Sequence, residues 1–350
     1  MNDPRTPALP ARLVAILLGS ALIAAGCGGS GSADTSSEAT TTTEATTTTA
    51  AETTTTTAEA TSTTAEETTT TAMAAAPVDA PTIEVVDQGA EPRVELRYEI
   101  ADGVYAARLS QIQSLRQTID GQLASEVSDL ESLFEVELTT RTVPEGYQFT
   151  AVYTNVSMAE GTDPTIAETM MSQLEQLVGS TFLSTIDPQG YILAQAFEPP
   201  AGAANAGDLQ TFMESLAAQN QFANPLPSEP MGIGGSWKQT QSLTVNGIAM
   251  VQESTYTVTA IDGATITMDV TGTQIVPVGP VDFPGLAAGV EVSVEAWDVA
   301  TTGSIDADLT RPFPSSSATV EGVQVLVGSG DEEFRLEQEL TNVATITPLN

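Results

Sequence analysis

Trp237-Lys-Gln-Thr-Gln-Ser-Leu-Thr-Val245, Asn246-Gly247, Ile248-Ala-Met-Val-Gln-Glu-Ser-Thr-Tyr-Thr-Val258, Asp262-Gly263 and Ala264-Thr-Ile-Thr-Met-Asp-Val270 alternate between strand-like and turn-like chemistry. Asn-Gly and Asp-Gly readily take the positive φ angles of tight hairpin turns, so the stretch reads as a three-stranded meander. Ile266, Met268 and Val270 fall on one face of the last strand, and Thr265, Thr267 and Asp269 fall on the other. A period of two with that contrast makes one side core and the other side solvated.

The same alternation extends outward. It predicts strands at Arg93–Ile100, Tyr105–Ile112, Phe134–Thr142, Gln148–Ser157, Phe182–Asp187 and Tyr191–Phe197, and again at Val290–Trp297, Ser304–Leu309, Val323–Val327 and Glu333–Asn342. Asp187-Pro188-Gln189-Gly190 supplies a turn between two of them. Ile100-Ala-Asp-Gly-Val-Tyr105 and Ile233-Gly-Gly-Ser-Trp237 each run from an apolar residue through glycine to an aromatic that enters a strand. This pattern fits two similar β-modules, at about 90–200 and 230–350, though any two meanders share much of it.

Two helices are expected among the strands. In the first, Asp163 can cap, Pro164 suits the first helical position and Gly179 suits the exit. Ile166, Met170, Leu174 and Leu177 then share a stripe at helical spacing. The second starts after Asp208, with Leu209, Phe212, Met213 and Leu216 repeating at three and four. Between Gln113 and Leu133, the residues Leu115, Ile119, Leu123, Val127 and Leu130 are also spaced like a helix, but Gly121 interrupts them. The expected fold class is α+β, with long antiparallel sheet and amphipathic helices packed on one face.

The N-terminal part has a different chemistry. Arg5 and Arg12 precede an apolar run from Leu13 to Ala25, and small residues lead into Cys27, the single cysteine of the chain. Thirteen mostly apolar residues fall short of a membrane span, which needs roughly 20. A basic head, an apolar core and small residues before a cut describe a secretory signal peptide over 1–26. From Ala33 to about Ala76 the chain is nearly all Thr, Ala and Glu. Without large apolar residues such a stretch cannot offset its ordering entropy, so residues 27–80 are expected to form a disordered stalk. Residues 81–350 form the expected β-rich globular region, large enough for a core without disulfides.

Charge and composition remove several functions. The chain has 10 Lys+Arg against 46 Asp+Glu, a formal net charge of −36, so nucleic acid is a poor partner. It contains no histidine, which excludes Ser-His-Asp and Cys-His catalysis. Lys238 with Ser236 could form a Ser-Lys dyad, but a lysine on the polar face of a strand is the plainer reading. Asp331-Glu332-Glu333, Asp306 with Asp308, and Asp129 with Glu131 match no EF-hand spacing and read as solvated acidic turns. Neither a catalytic residue, nor a cofactor, nor a metal ligand is expected.

Cys27 directly after small residues resembles the lipobox of bacterial lipoprotein precursors, although Ala24 stands where Leu is commonest in that family. The resemblance implies cleavage before Cys27, lipid attached to its thiol, and a domain held at the outer face of the cell membrane. A curved antiparallel sheet crossed by helices is also similar to LolA-type and LppX-type lipoprotein carriers of lipids, over roughly residues 90–275. That similarity implies a non-enzymatic binding module for a lipid or other apolar ligand. The alternative is a structural or protein-interaction role in the cell envelope. Any cavity is expected between Met170, Leu174 and Leu177 and the sheet face bearing Ile266, Met268 and Val270, although the same residues would also make an ordinary core.

Overall fold

The computed structural model describes residues 80–160, 162, 164–200, 224–245, 248–281, 289–330 and 333–349. Alternation dominates these residues and produces thirteen strands in one sheet. In chain order they are β1 (Thr82–Asp87), β2 (Gly103–Ile119), β3 (Gln122–Val143), β4 (Gly146–Met158), β5 (Thr181–Ile186) and β6 (Ile192–Glu198). Then come β7 (Ser236–Val245), β8 (Ile248–Asp262), β9 (Thr265–Ile275), β10 (Gly279–Val281), β11 (Val290–Asp308), β12 (Ser315–Gly330) and β13 (Phe334–Pro348). A single α-helix, α1 (Pro164–Leu174), and a 3-10 turn at Glu175–Leu177 complete the regular elements among the described residues.

The lateral order is β1-β7-β8-β9-β11-β12-β13-β2-β3-β4-β5-β6, with β10 also paired to β11. All of these pairings are antiparallel, and most join neighbours in the chain. The exception that unites the sheet is β13, which returns to pair with β2 from Leu336↔Ile119 to Pro348↔Ala107. The strands of both halves therefore lie in one continuous sheet.

This architecture corrects the α+β expectation: the described chain is almost entirely β. The helix-like stretch from Gln113 to Leu133 belongs to the β2–β3 hairpin, turning at Asp120 (φ 51°) and Gly121 (φ 76°). Positive φ at both central residues is the signature of a type I′ hairpin turn. The helix expected after Asp208 and the Asn246-Gly247 turn lie outside the described residues, as does the Asp163 cap. The strands expected at Val290–Trp297 and Ser304–Leu309 are one long strand, β11.

The largest core cluster takes side chains from both ends of the strand order. It joins Trp237 and Tyr256 of β7 and β8 to Phe182 and Phe197 of β5 and β6. The sheet thus curls over its own inner face. Residues 93–100, expected as a strand, instead run along the edge of this interior as a strap without ladder pairing. Leu96, Tyr98 and Ile100 are buried, while the residues between them are exposed. The strap's backbone bonds go to loops: Val94 pairs with Met231, the Tyr98 amide donates to the Pro188 carbonyl, and the Glu99 amide donates to the Leu309 carbonyl. The Tyr98 hydroxyl accepts from the Asn224 amide at 3.0 Å and donates to the Asn224 carbonyl at 3.1 Å. Burial pushes the Tyr98 phenol well above its ordinary range. At the end of the strap Asp102 accepts from the backbone and hydroxyl of Thr142, which lowers its carboxyl pKa.

Candidate functional site: a buried row of amides

The inner face of the sheet is not uniformly apolar. On β2 the inward positions run Ala107, Leu109, Gln111, Gln113, Leu115 and Gln117, and on β13 they run Leu336, Gln338, Leu340, Asn342 and Ala344. Register then aligns the polar members. Gln117 lies opposite Gln338, which lies opposite Gln324 of β12, which lies opposite Trp297 of β11. The Trp297 indole N–H donates to Gln274 Oε1 of β9 at 3.1 Å. Gln274 in turn lies opposite Gln252 of β8, and Gln252 opposite Gln241 of β7. The row crosses seven strands.

A parallel row lies toward the main core. It holds Gln113 opposite Asn342 at one side and Ser254 opposite Gln239 at the other. Leu115 and Leu340 pack between the two rows, in one apolar cluster with Val299 and with Val320, which lies opposite Asn342. Beyond the first row, an apolar cluster around Met250, Val294, Leu326, Phe334 and Leu336 closes that end of the sheet.

Burial makes these amides unusual. Gln117, Gln338 and Asn342 are each 1 % exposed. Gln111 Oε1, Gln113 Nε2, Gln117 Nε2, Gln239 Oε1, Gln338 Nε2 and Asn342 Oδ1 are buried with no hydrogen-bond partner among the described residues. An unpaired buried polar group costs about 1–3 kcal/mol. Six unpaired amide atoms among the described residues amount to polar capacity in the interior that these side chains do not use.

At the β2 and β13 side of the second row the structure opens a cavity of about 20 Å³. That volume holds about one water-sized group. Gln111, Gln113 and Asn342 form its polar wall, and Leu130, Phe134, Met158, Met170 and Leu174 form its apolar wall. Phe134 is held edge-on by Tyr153, ring centroids 6.2 Å apart at 76°, and burial pushes the Tyr153 phenol up to about 12.

The helix α1 forms as its sequence predicts, from Pro164 to Leu174, and the exit glycine Gly179 has φ 84°. It follows β4 directly and packs back against it, which sets the sheet partners of its stripe. Met170 and Leu174 line the cavity, but the facing sheet surface belongs to β2, β3, β13 and the end of β4. Ile266, Met268 and Val270 of β9 are buried with Leu174 and Leu177 in the main core and do not line this cavity. Ile166, expected on the buried stripe, is 36 % exposed.

The other residues singled out in the sequence are placed apart from this site. Lys238 pairs with Glu253 at 2.7 Å across β7 and β8. Asp129 accepts from the Ser114 hydroxyl, and Glu131 accepts from the Ser110 hydroxyl. Asp308 caps the following turn by accepting from the Thr310 backbone and hydroxyl. Among the described residues no group of three or more Asp, Glu or Cys side chains is placed to hold a metal ion. Cys27, Asp331 and Glu332 lie outside the described residues.

Sequence reasoning passed over the amides because glutamine reads as a solvent-facing residue. The signal was present in the alternation. Gln239 and Gln241 occupy the same face as Trp237 and Leu243, and Gln338 sits between Leu336 and Leu340. Large apolar residues on the same face bracket the Gln239–Gln241 pair and the single Gln338.

No protein-family model matches the chain, and no curated protein matches it. Among solved structures, an outer membrane channel from Pseudomonas putida F1 aligns over 71 % of this chain and 98 % of its own. The two are 8 % identical, and the TM-score is 0.14, too low to establish a shared fold.

Proposed function

We propose that this protein is a lipid-anchored, extracytoplasmic binding module without enzymatic activity, and that its ligand is amphipathic. The observation that carries the reading is the cavity beneath α1, where unpaired buried amides meet an apolar wall. Ligand sites combine mainly apolar lining with a few converging polar groups, and this wall has both. The anchoring part of the proposal rests on the signal-like segment 1–26 and on Cys27, with the Thr-rich segment as the tether. Several acyl chains are needed for stable anchoring, because one holds only marginally.

The test uses the mature chain and its Cys27→Ser variant. The wild type is expected in the membrane fraction with an acylated N-terminal cysteine, and the variant in the medium. An unmodified wild-type chain, or one retaining Met1, refutes the anchor. Native mass spectrometry of the released variant is expected to show a co-purified amphiphile. A ligand-free monomer that binds no apolar probe but captures an envelope protein would support the interaction role instead.

A further inference from the structure

The polar wall of the cavity under α1 specifies the head group of the ligand. We infer that this cavity takes the head of an uncharged amphiphile, a hydroxyl or amide that both donates and accepts hydrogen bonds. The inference rests on the binding-module reading and adds the chemical class of its ligand. Gln111 is 8 % exposed and Asn342 is 1 % exposed, both line the cavity, and each carries a buried carbonyl oxygen without a partner among the described residues. Gln113, half-buried, adds an unpaired amide nitrogen. Whichever way each amide is turned, the three together offer donors and acceptors and carry no charge.

Among the described residues none that lines the cavity is ionisable, and Ser132 is the one polar member besides the amides. A carboxylate or ammonium placed there would lose its hydration without gaining a counter-ion, which is strongly unfavourable. A neutral head loses far less and satisfies atoms that the fold leaves unpaired. Size points the same way, because about 20 Å³ admits one hydroxyl- or amide-sized group and not a large head. The apolar part of the ligand does not fit this volume and extends out of it past the half-buried Met158 and Met170, whose unbranched thioether chains adapt to irregular shapes.

The probes are 1-octanol, octanoate, octylammonium and 1-chlorooctane, which share a tail and differ at the head. Titration calorimetry on the full mature chain carrying Cys27→Ser compares them. One hydrogen bond gained with an otherwise unpaired amide corresponds to about a tenfold change in affinity, so 1-octanol is expected to bind at least that much more tightly than the other three. Gln111→Leu is expected to remove the preference for 1-octanol over 1-chlorooctane while binding of 1-chlorooctane persists. Gln113→Leu, at the less buried position, is the second variant should Gln111→Leu fail to fold. Equal affinity for all four heads, or tightest binding of either ion, overturns the inference and leaves the binding-module reading standing. If no probe binds at all, both fall.

Discussion

Trp237→Ala is expected to cost about 3–5 kcal/mol of folding stability, the range for emptying the site of a large buried aromatic. Trp237 is fully buried on β7 and stacks on Tyr256 of β8, with centroids 5.3 Å apart and planes within 8°. Stacked pairs of this kind add about 0.5–1.5 kcal/mol beyond the area they bury. The pair belongs to the cluster that joins the two ends of the sheet, so the loss bears on the curl as well as on one hairpin. Trp237→Phe keeps a ring against Tyr256 and removes an indole N–H that has no partner, so its cost should be less than half as large. Denaturant midpoints at unchanged slope measure both. A Trp237→Ala midpoint within about 1 kcal/mol of wild type would mean that this face does not close over the core.

Gly146→Ala is the second large effect. Gly146 opens β4 after the Pro144-Glu145 turn at φ 147°, where side chains are disfavoured. A methyl there would also stand 2.2 Å from the Ile186 carbonyl oxygen and 2.8 Å from the Asp187 Cα. Both of those are backbone atoms of the neighbouring strand end and cannot rotate away. Conformational strain alone costs about 1–3 kcal/mol, and the clash adds to it. Gly121 is the control, because it too has positive φ (76°) but nothing within 4 Å of the added carbon. Gly121→Ala should therefore lose only the conformational part. Equal losses at the two sites would place β5 farther from the β3–β4 turn than the structure does.

Much of the sheet was legible because turn chemistry and alternation agreed. β7, β8 and β9 follow the quoted stretch, and the turn falls one residue later than expected, at Gly263-Ala264 with Gly263 at φ 60°, because Asp262 is still paired to Thr265. The ambiguity at Gln113–Leu133 has a simple cause. A spacing of four is one turn of helix, but it is also two repeats of a strand, so Leu115, Ile119, Leu123 and Val127 fit both periods. The deciding signal was Asp120-Gly121, a dipeptide that readily takes the two positive φ angles of a tight hairpin turn. The strap at 93–100 alternated correctly, yet it is no ladder strand, because its partners are loop carbonyls far away in sequence. Alternation reports which face is buried and does not report what the backbone bonds to.

The candidate site was less legible, for a related reason. Its polar wall comes from β2 and β13, which meet only because the last strand pairs with the first long one. Nothing local in either segment announces that pairing. The helix side, Met170 and Leu174, was readable from its stripe because helical periodicity is a local property. The facing surface was assigned to β9 from hydrophobicity, whereas the site combines an apolar wall with amides that hydrophobicity discounts.

The most direct test of the binding account is nuclear magnetic resonance of the side-chain amides during titration with 1-octanol. The account expects the Gln111, Gln113 and Asn342 NH₂ signals to shift together and to saturate, with smaller changes at the Met158 and Met170 methyl groups. Unmoved amide signals at saturating 1-octanol, or shifts confined to surface residues, would contradict it.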